Sequence, residues 1–145
     1  MFVRGCEFPE DRYYHADFNV WIKPESPGVA LLGATAFGVA LAVDFVAFLP
    51  KGEGTRVSAG RAAGLLELAK TMVSVRSPVE ATILGHNAQA VADPSIIRAD
   101  PYGKGWLLRL EVGDWNGQGL VSGEGIVAAF EAAMDLDDFT GLPAQ

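Results

Sequence analysis

Few residues of this 145-residue chain could carry chemistry by themselves. His15 and His86 lie far apart, and no His-x-x-x-His or EF-hand pattern gathers ligands, so no metal site is predicted. Cys6 is the single cysteine, which excludes an internal disulfide and any CxxC metal or redox motif. No Gly-x-Ser-x-Gly elbow or Cys/His pair offers a nucleophile. "GEGTRVSAG" is glycine-rich but lacks the Gly-Lys-Ser/Thr ending of a phosphate loop, and the adjacent Asp137 and Asp138 need only be solvated. Catalytic residues are therefore predicted to be absent. What remains is lysine, as a point of attachment. Of Lys23, Lys51, Lys70 and Lys104, only Lys70 sits inside an apolar stretch, "LLELAKTMVSVR", three residues after Glu67.

That stretch fits two periods. At helical spacing Ala62, Leu65, Leu66, Ala69, Met72 and Val73 share a face, and Glu67 and Lys70 form an i,i+3 ion pair toward solvent. As two strands meeting near Ala69, Lys70 and Thr71, the same residues lift one lysine onto a hairpin tip. The turn has none of the Gly, Asn or Pro that usually marks a hairpin.

The surrounding elements read as short strands between Gly/Pro turns. "NVWIK" ends at the Pro24–Gly28 turn, and an apolar strand follows over Val29–Leu32. Thr35 is placed to N-cap a short helix reaching Ala42. "DFVAFLP" is apolar on both sides, as in a buried strand. A short strand surrounds Val57, another alternates Val79, Ala81 and Ile83, and a turn is expected at Gly85–Asn87. "DPSIIRADPYGKG" reads as loop with a brief helical turn, "WLLRLEV" as a strand and "DWNGQG" as a turn. "EGIVAAFEAAMDLDDF" has Ile126, Ala129, Phe130, Ala133 and Met134 at helical spacing. This predicts a small β-sandwich or barrel with peripheral helices: one domain over 1–145, with a C-terminal helical extension over 123–138.

With 18 acidic and 11 basic residues the formal charge is −7, and no Lys/Arg cluster suits nucleic acid or an anionic membrane surface. The net charge fits a protein partner with a basic docking face. Val29–Leu49 is long enough for a membrane span. Asp44 inside it would cost about 2.5–3.5 kcal/mol near a membrane centre; Gly33, Thr35 and Gly38 interrupt the run and Pro50 closes it. Three elements in series are the better reading, and without a cationic leader the predicted location is cytoplasmic.

From about Tyr14 to Val112 the chain resembles the H-protein family of the glycine cleavage system. Three stretches carry the resemblance in the family's order: "VALLGATAF…LAVDFVAFLP", "GTRVSAG…ELAKTMVSVRSPVEATILGHN" and "DPYGKGWLLRL", the last being the most specific. The resemblance implies a mainly β fold, a flattened β-sandwich or barrel-sandwich hybrid of the lipoyl-domain type. It implies a non-enzymatic carrier with lipoate amide-linked to Lys70, and Glu67 as the acidic residue that the modifying enzyme reads. The implied partners are a lipoate ligase or lipoyl transferase, with glycine decarboxylase, aminomethyltransferase and dihydrolipoyl dehydrogenase.

The chain departs from the family at Leu68, where Ser is common, at Thr71 and Met72, and at Asn19, where a His usually stands. The opening "GCEFPEDRYY", "NVW" and the "AAFEAAMDLDDF" tail look more like the lipoate-binding proteins of bacterial sulfur oxidation, which work with a heterodisulfide-reductase-like complex. That branch's Glu-Ser-Gly-Lys-Trp is also missing. A binding module that keeps the fold without lipoylation is a third reading. A biotin carrier would need Met-Lys-Met, and Ala69-Lys70-Thr71 does not supply it.

Overall fold

The computed structural model describes residues 1–142, so the last three residues of the predicted 1–145 domain lie outside the described residues. The strands are β1 (Phe2–Val3), β2 (Cys6–Glu7), β3 (Tyr13–His15), β4 (Val20–Ser26), β5 (Val29–Ala34), β6 (Ala47–Pro50), β7 (Arg56–Val57), β8 (Ala62–Glu67), β9 (Met72–Arg76), β10 (Ala81–His86) and β11 (Leu108–Glu111). The helices are α1 (Ala36–Ala42), α2 (Ala88–Ala92), α3 (Ser95–Ala99) and α4 (Gly125–Leu136). A six-stranded sheet runs β3-β4-β5-β11-β10-β7, a three-stranded sheet β6-β8-β9, and β1 and β2 form a ribbon. All pairings are antiparallel. The fold is mainly β, as expected.

Strand β4 explains why the molecule has two cores. Successive side chains of a strand point to opposite faces, and Val20, Trp21 and Ile22 are all buried. Val20 and Ile22 join Leu32, Ile83 and Leu110 and pack with Phe48, Leu66 and Val75 of the three-stranded sheet. Trp21 points the other way, into a second core with Phe8, Tyr14, Phe37, Phe130 and Met134. Gly33, opposite Trp21 in the register, leaves room for the indole; a Cβ there would overlap the ring. Helix α4 buries Ile126, Phe130, Ala133 and Met134 in that second core, so it covers a face of the large sheet.

The "DPYGKGW" motif serves this architecture. The Trp21 Nε1–H donates to the Pro101 carbonyl at 3.0 Å. The Tyr102 hydroxyl accepts the Ala36 N–H at the start of α1 (2.9 Å) and donates to the Glu7 carbonyl (2.6 Å). Burial raises the pKa of that phenol, so it keeps the proton it donates. The buried Arg12 guanidinium stacks on Trp21 and Tyr102, at 4.6 and 5.3 Å from the ring centroids. The Asn87 side-chain amide donates to the carbonyls of Lys104 (2.6 Å) and Trp106 (2.8 Å). The N-terminal segment, α1 and the loop before β11 are thereby tied together.

Several expectations need revision. Residues 44–46 are not strand; β6 begins at Ala47, and only Phe48 in it is buried, because β6 is an edge of the three-stranded sheet. Gly85 and His86 remain in β10, and Asn87 is no turn residue but the N-cap of α2, its side chain accepting the Gln89 N–H. β4 continues through Pro24 to Ser26, past a register shift. The Val29–Leu49 stretch divides into β5, α1 and β6, and no helix among the described residues is long and apolar enough to cross a membrane.

Candidate functional site

β8 and β9 form a hairpin with Lys70 in its loop, so the strand reading of "LLELAKTMVSVR" is the one realised. Val73 and Val75 are β-branched and suit strand. Pairing places Leu66 opposite Val73 and, on β6, opposite Phe48, so Leu66 and Phe48 enter the core side by side. Burial of each such side chain contributes about 1.5–3 kcal/mol, against a few tenths for the i,i+3 ion pair of the alternative helix. Packing wins. The loop Leu68–Thr71 is closed by the Leu68 N–H donating to the Thr71 carbonyl at 2.8 Å, and the Val46 N–H pins Glu67 by donating to its carbonyl (2.8 Å).

Lys70 is exposed, and among the described residues neither it nor Glu67 is in an ion pair. Glu67 stands at the end of β8, opposite Met72 on β9 and Ala47 on β6. The two residues singled out from sequence thus share one end of the three-stranded sheet without neutralising one another.

Beside this hairpin, along the open edge of β9, runs a cleft of about 540 Å³. Its far wall is α1, the segment after it and the β3–β4 turn, through Leu41, Phe45, Phe18 and Asn19; Leu68 and Met72 lie at the hairpin end. Thr35 fixes α1 by accepting the Gly38 N–H (3.0 Å) while donating to Asn19 Oδ1 (3.3 Å). Asn19 has φ +54°, a left-handed conformation that Asn tolerates better than most residues. Its backbone carbonyl accepts the Thr35 N–H at 3.0 Å. Asn19 therefore couples the turn to the helix. Val43 at the end of α1 has φ +69° and ψ −69°, with the Asp44 N–H bonded to the Ala42 carbonyl at 2.9 Å. This is the rare, strained form of γ-turn, here at a β-branched residue beside the cleft.

His15 braces the same wall from behind Phe18. Its ring stacks on Phe18 with centroids 3.8 Å apart, and its Nδ1 accepts the Phe18 N–H at 3.2 Å, which requires neutral imidazole. Burial lowers the His15 pKa below the usual 6.5, with the Asp17 carboxylate pulling weakly upward. As pH falls through 6.5 the unfolded chain takes up the proton first. The contribution of His15 to stability is thus whole above pH 6.5 and lost as pH drops through the folded pKa. Urea midpoints measured above and below pH 6.5 are expected to show this slope, and His15→Gln is expected to flatten it. An unchanged slope in the variant would remove His15 from this role.

Neither the cleft nor the roles of His15, Phe18 and Asn19 were singled out from sequence; the contributing segments are separated in the chain and converge only through sheet pairing. His86 lies in β10, away from His15 in β3, and Cys6 is buried in β2, where burial raises its thiol pKa.

Residues 12–132 match the family model described as glycine cleavage H-protein. The chain belongs to the glycine cleavage H-protein family. Members of this family are non-catalytic carriers with lipoate covalently attached to a lysine. A "Probable glycine cleavage system H protein 2" of Saccharolobus solfataricus is 37% identical over 110 residues, 74% of each chain. "Glycine cleavage system H protein 2" of Aquifex aeolicus is 31% identical over 137 residues, 93% of this chain and 85% of its own. The fold matches the crystal structure of a glycine cleavage system H protein from Mycobacterium marinum with TM-score 0.72 and 28% identity, covering 90% of this chain and 99% of that one. The family-model match over residues 12–132 takes in the six-stranded and three-stranded sheets of this H-protein-family chain and the first part of α4.

Proposed function

We propose that this chain is a lipoyl carrier whose lipoate is amide-linked to Lys70, acting in the cytoplasm with the glycine cleavage enzymes. The observation that carries the reading is the position of Lys70: an exposed lysine, in no ion pair among the described residues, at the tip of a hairpin whose two strands are anchored in the core. The site fits the group. A turn apex can be gripped by one enzyme after another without unfolding a helix, and the mostly apolar cleft beside it offers walls for an acyl chain. Bound lipoate supplies the thiol–disulfide and carrier chemistry. The protein tethers it, which raises its effective concentration wherever the carrier docks.

Glu67 is assigned to recognition by the modifying enzyme. Its backbone is held by Val46 while its side chain makes no ion pair among the described residues, which leaves its carboxylate for recognition. Glu67→Ala is expected to slow lipoylation by a purified lipoate ligase by about 10- to 150-fold, taking a charged hydrogen bond to contribute about 1.5–3 kcal/mol, with stability changed by less than about 0.5 kcal/mol. Equal loading rates would take Glu67 out of that role.

A second reading, a carrier for a heterodisulfide-reductase-like sulfur-oxidising complex, rests on the likeness of the opening "GCEFPEDRYY" and the "AAFEAAMDLDDF" tail to that branch. The relatives include Aquifex aeolicus H proteins numbered 2, 3 and 5, so a single organism holds several members of this family. Assay of the lipoylated chain as substrate for aminomethyltransferase and glycine decarboxylase tests the first reading. Turnover supports glycine cleavage; its absence with the heterodisulfide-reductase-like complex active would support the second.

A further inference from the structure

The net charge of −7 hides an uneven distribution. Six basic side chains, Arg4, Arg12, Lys23, Arg56, Arg98 and Arg109, are held against carboxylates. Among the described residues the other five are Lys51, Arg61, Lys70, Arg76 and Lys104. All but Lys104 stand on the three-stranded sheet or at its ends, and Glu67 is the one acidic residue within its strands.

This sheet has an inner face, carrying Phe48, Leu66 and Val75, and an outer face open to solvent. Leu49, Leu65 and Ser74 are register partners across the outer face, next to the row Ala47, Glu67 and Met72. Leu49 and Met72 are 47% exposed and Leu65 37%. Alternation puts Arg76, two residues beyond Ser74, on the same side. Lys51, two beyond Leu49, follows the same alternation, since its N–H continues the ladder to the Ala63 carbonyl at 3.0 Å. The outer face thus has an apolar centre, cations at its base, and Lys70 with Glu67 at its tip.

We infer that this face docks the enzyme that attaches lipoate to Lys70, and that the enzyme presents an apolar patch rimmed by carboxylates. The inference rests on the reading of Lys70 as the attachment lysine. Reach selects this occupant. Partners of the lipoylated carrier meet the end of a long arm and can stand off, whereas the modifying enzyme must bring its active site to a bare lysine and so must press on the hairpin. Charge selects its chemistry, because cations without carboxylate partners at the rim attract an acidic surface and repel a basic one. Whole-chain net charge favours the opposite sign of partner, but association is governed by the charges at the contact.

The test is loading of the full-length chain by the purified lipoate ligase or lipoyl transferase of the same host, with lipoylation of Lys70 read by peptide mass and KM taken for the chain. Lys51→Glu/Arg76→Glu is expected to raise KM about tenfold at low salt with kcat unchanged. Added salt is expected to raise the wild-type KM and to leave that of the variant nearly flat. Arg76 also donates to the Gly60 carbonyl at 2.9 Å, so Lys51→Glu and Leu65→Asn, which disturb no hydrogen bond, are each expected to raise KM several-fold. Glu131→Lys on α4 serves as the remote control and is expected to change nothing. Wild-type loading on Lys70 with KM unchanged or lowered in these variants overturns the docking face and leaves the carrier reading intact. A wild-type chain that stays unmodified overturns both. Self-association of the chain that Lys51→Glu/Arg76→Glu abolishes would assign the face to a second copy and overturn the proposal.

Discussion

Lys70→Arg is expected to abolish lipoylation and all carrier activity while leaving the fold unchanged. Arginine keeps the positive charge, but its guanidinium stays protonated and does not form the amide. Lys70 is exposed, donates no hydrogen bond to another of the described residues, and lies in a loop closed by backbone atoms of Leu68 and Thr71. Substitution at such a position changes stability by no more than about 0.5 kcal/mol. Intact mass after incubation with ligase and lipoate, and a urea midpoint, measure the two halves. Loss of folding would show a structural lysine. Persistent modification would move the attachment to Lys23, Lys51 or Lys104.

The largest stability effect is expected at Phe130→Ala, with a loss of about 3–5 kcal/mol. Phe130 is fully buried and lies 4.2 Å from Phe8 and 5.8 Å from Tyr14, centroid to centroid. Truncation leaves a cavity between α4 and the face of the large sheet that carries Trp21. Against a typical stability of about 5–15 kcal/mol, such a loss is a large fraction of the whole. Equilibrium urea unfolding measures it. A loss below about 1 kcal/mol would mean that α4 rests loosely on the sheet as an appendage. Lys70 belongs to the other sheet, so lipoylation of the folded fraction is expected to persist.

How legible these features were in the sequence follows from where their causes lie. Helix α1 was readable because its cause is local: Thr35 supplies the capping oxygen one residue before the helix. Helix α4 was readable because its apolar residues recur at helical spacing toward one core. Helix α2 is hidden in the sequence because Asn87 suits both a turn and an N-cap, and five residues leave no periodicity to decide. The sequence makes β6 look longer than it is, because its apolar alternation is the same in a buried strand and in an edge strand with one exposed face. Strands of two or three residues such as β1, β2 and β3 have no period at all.

The candidate site divides the same way. Lys70 and Glu67 stood out as residues, but the local pattern around them fits a helix equally well, and the contact that decides is Leu66 beside Phe48 on another strand. The family resemblance carried that long-range information and pointed to the hairpin. The cleft was beyond local reading altogether, because α1, the β3–β4 turn and β9 approach one another only in the folded chain. The outer face of the three-stranded sheet was hidden for a related reason. Composition counts every charge equally, whereas six of the cations are matched by carboxylates elsewhere.

The central claim, that Lys70 carries lipoate, is tested most directly by mass spectrometry of the chain purified from its native host grown with ample lipoate. The predicted result is an intact mass higher by one lipoyl group, with a peptide spanning residues 62–76 that places the group on Lys70. An unmodified intact mass under those conditions, or a lipoyl group on a different lysine, would contradict it.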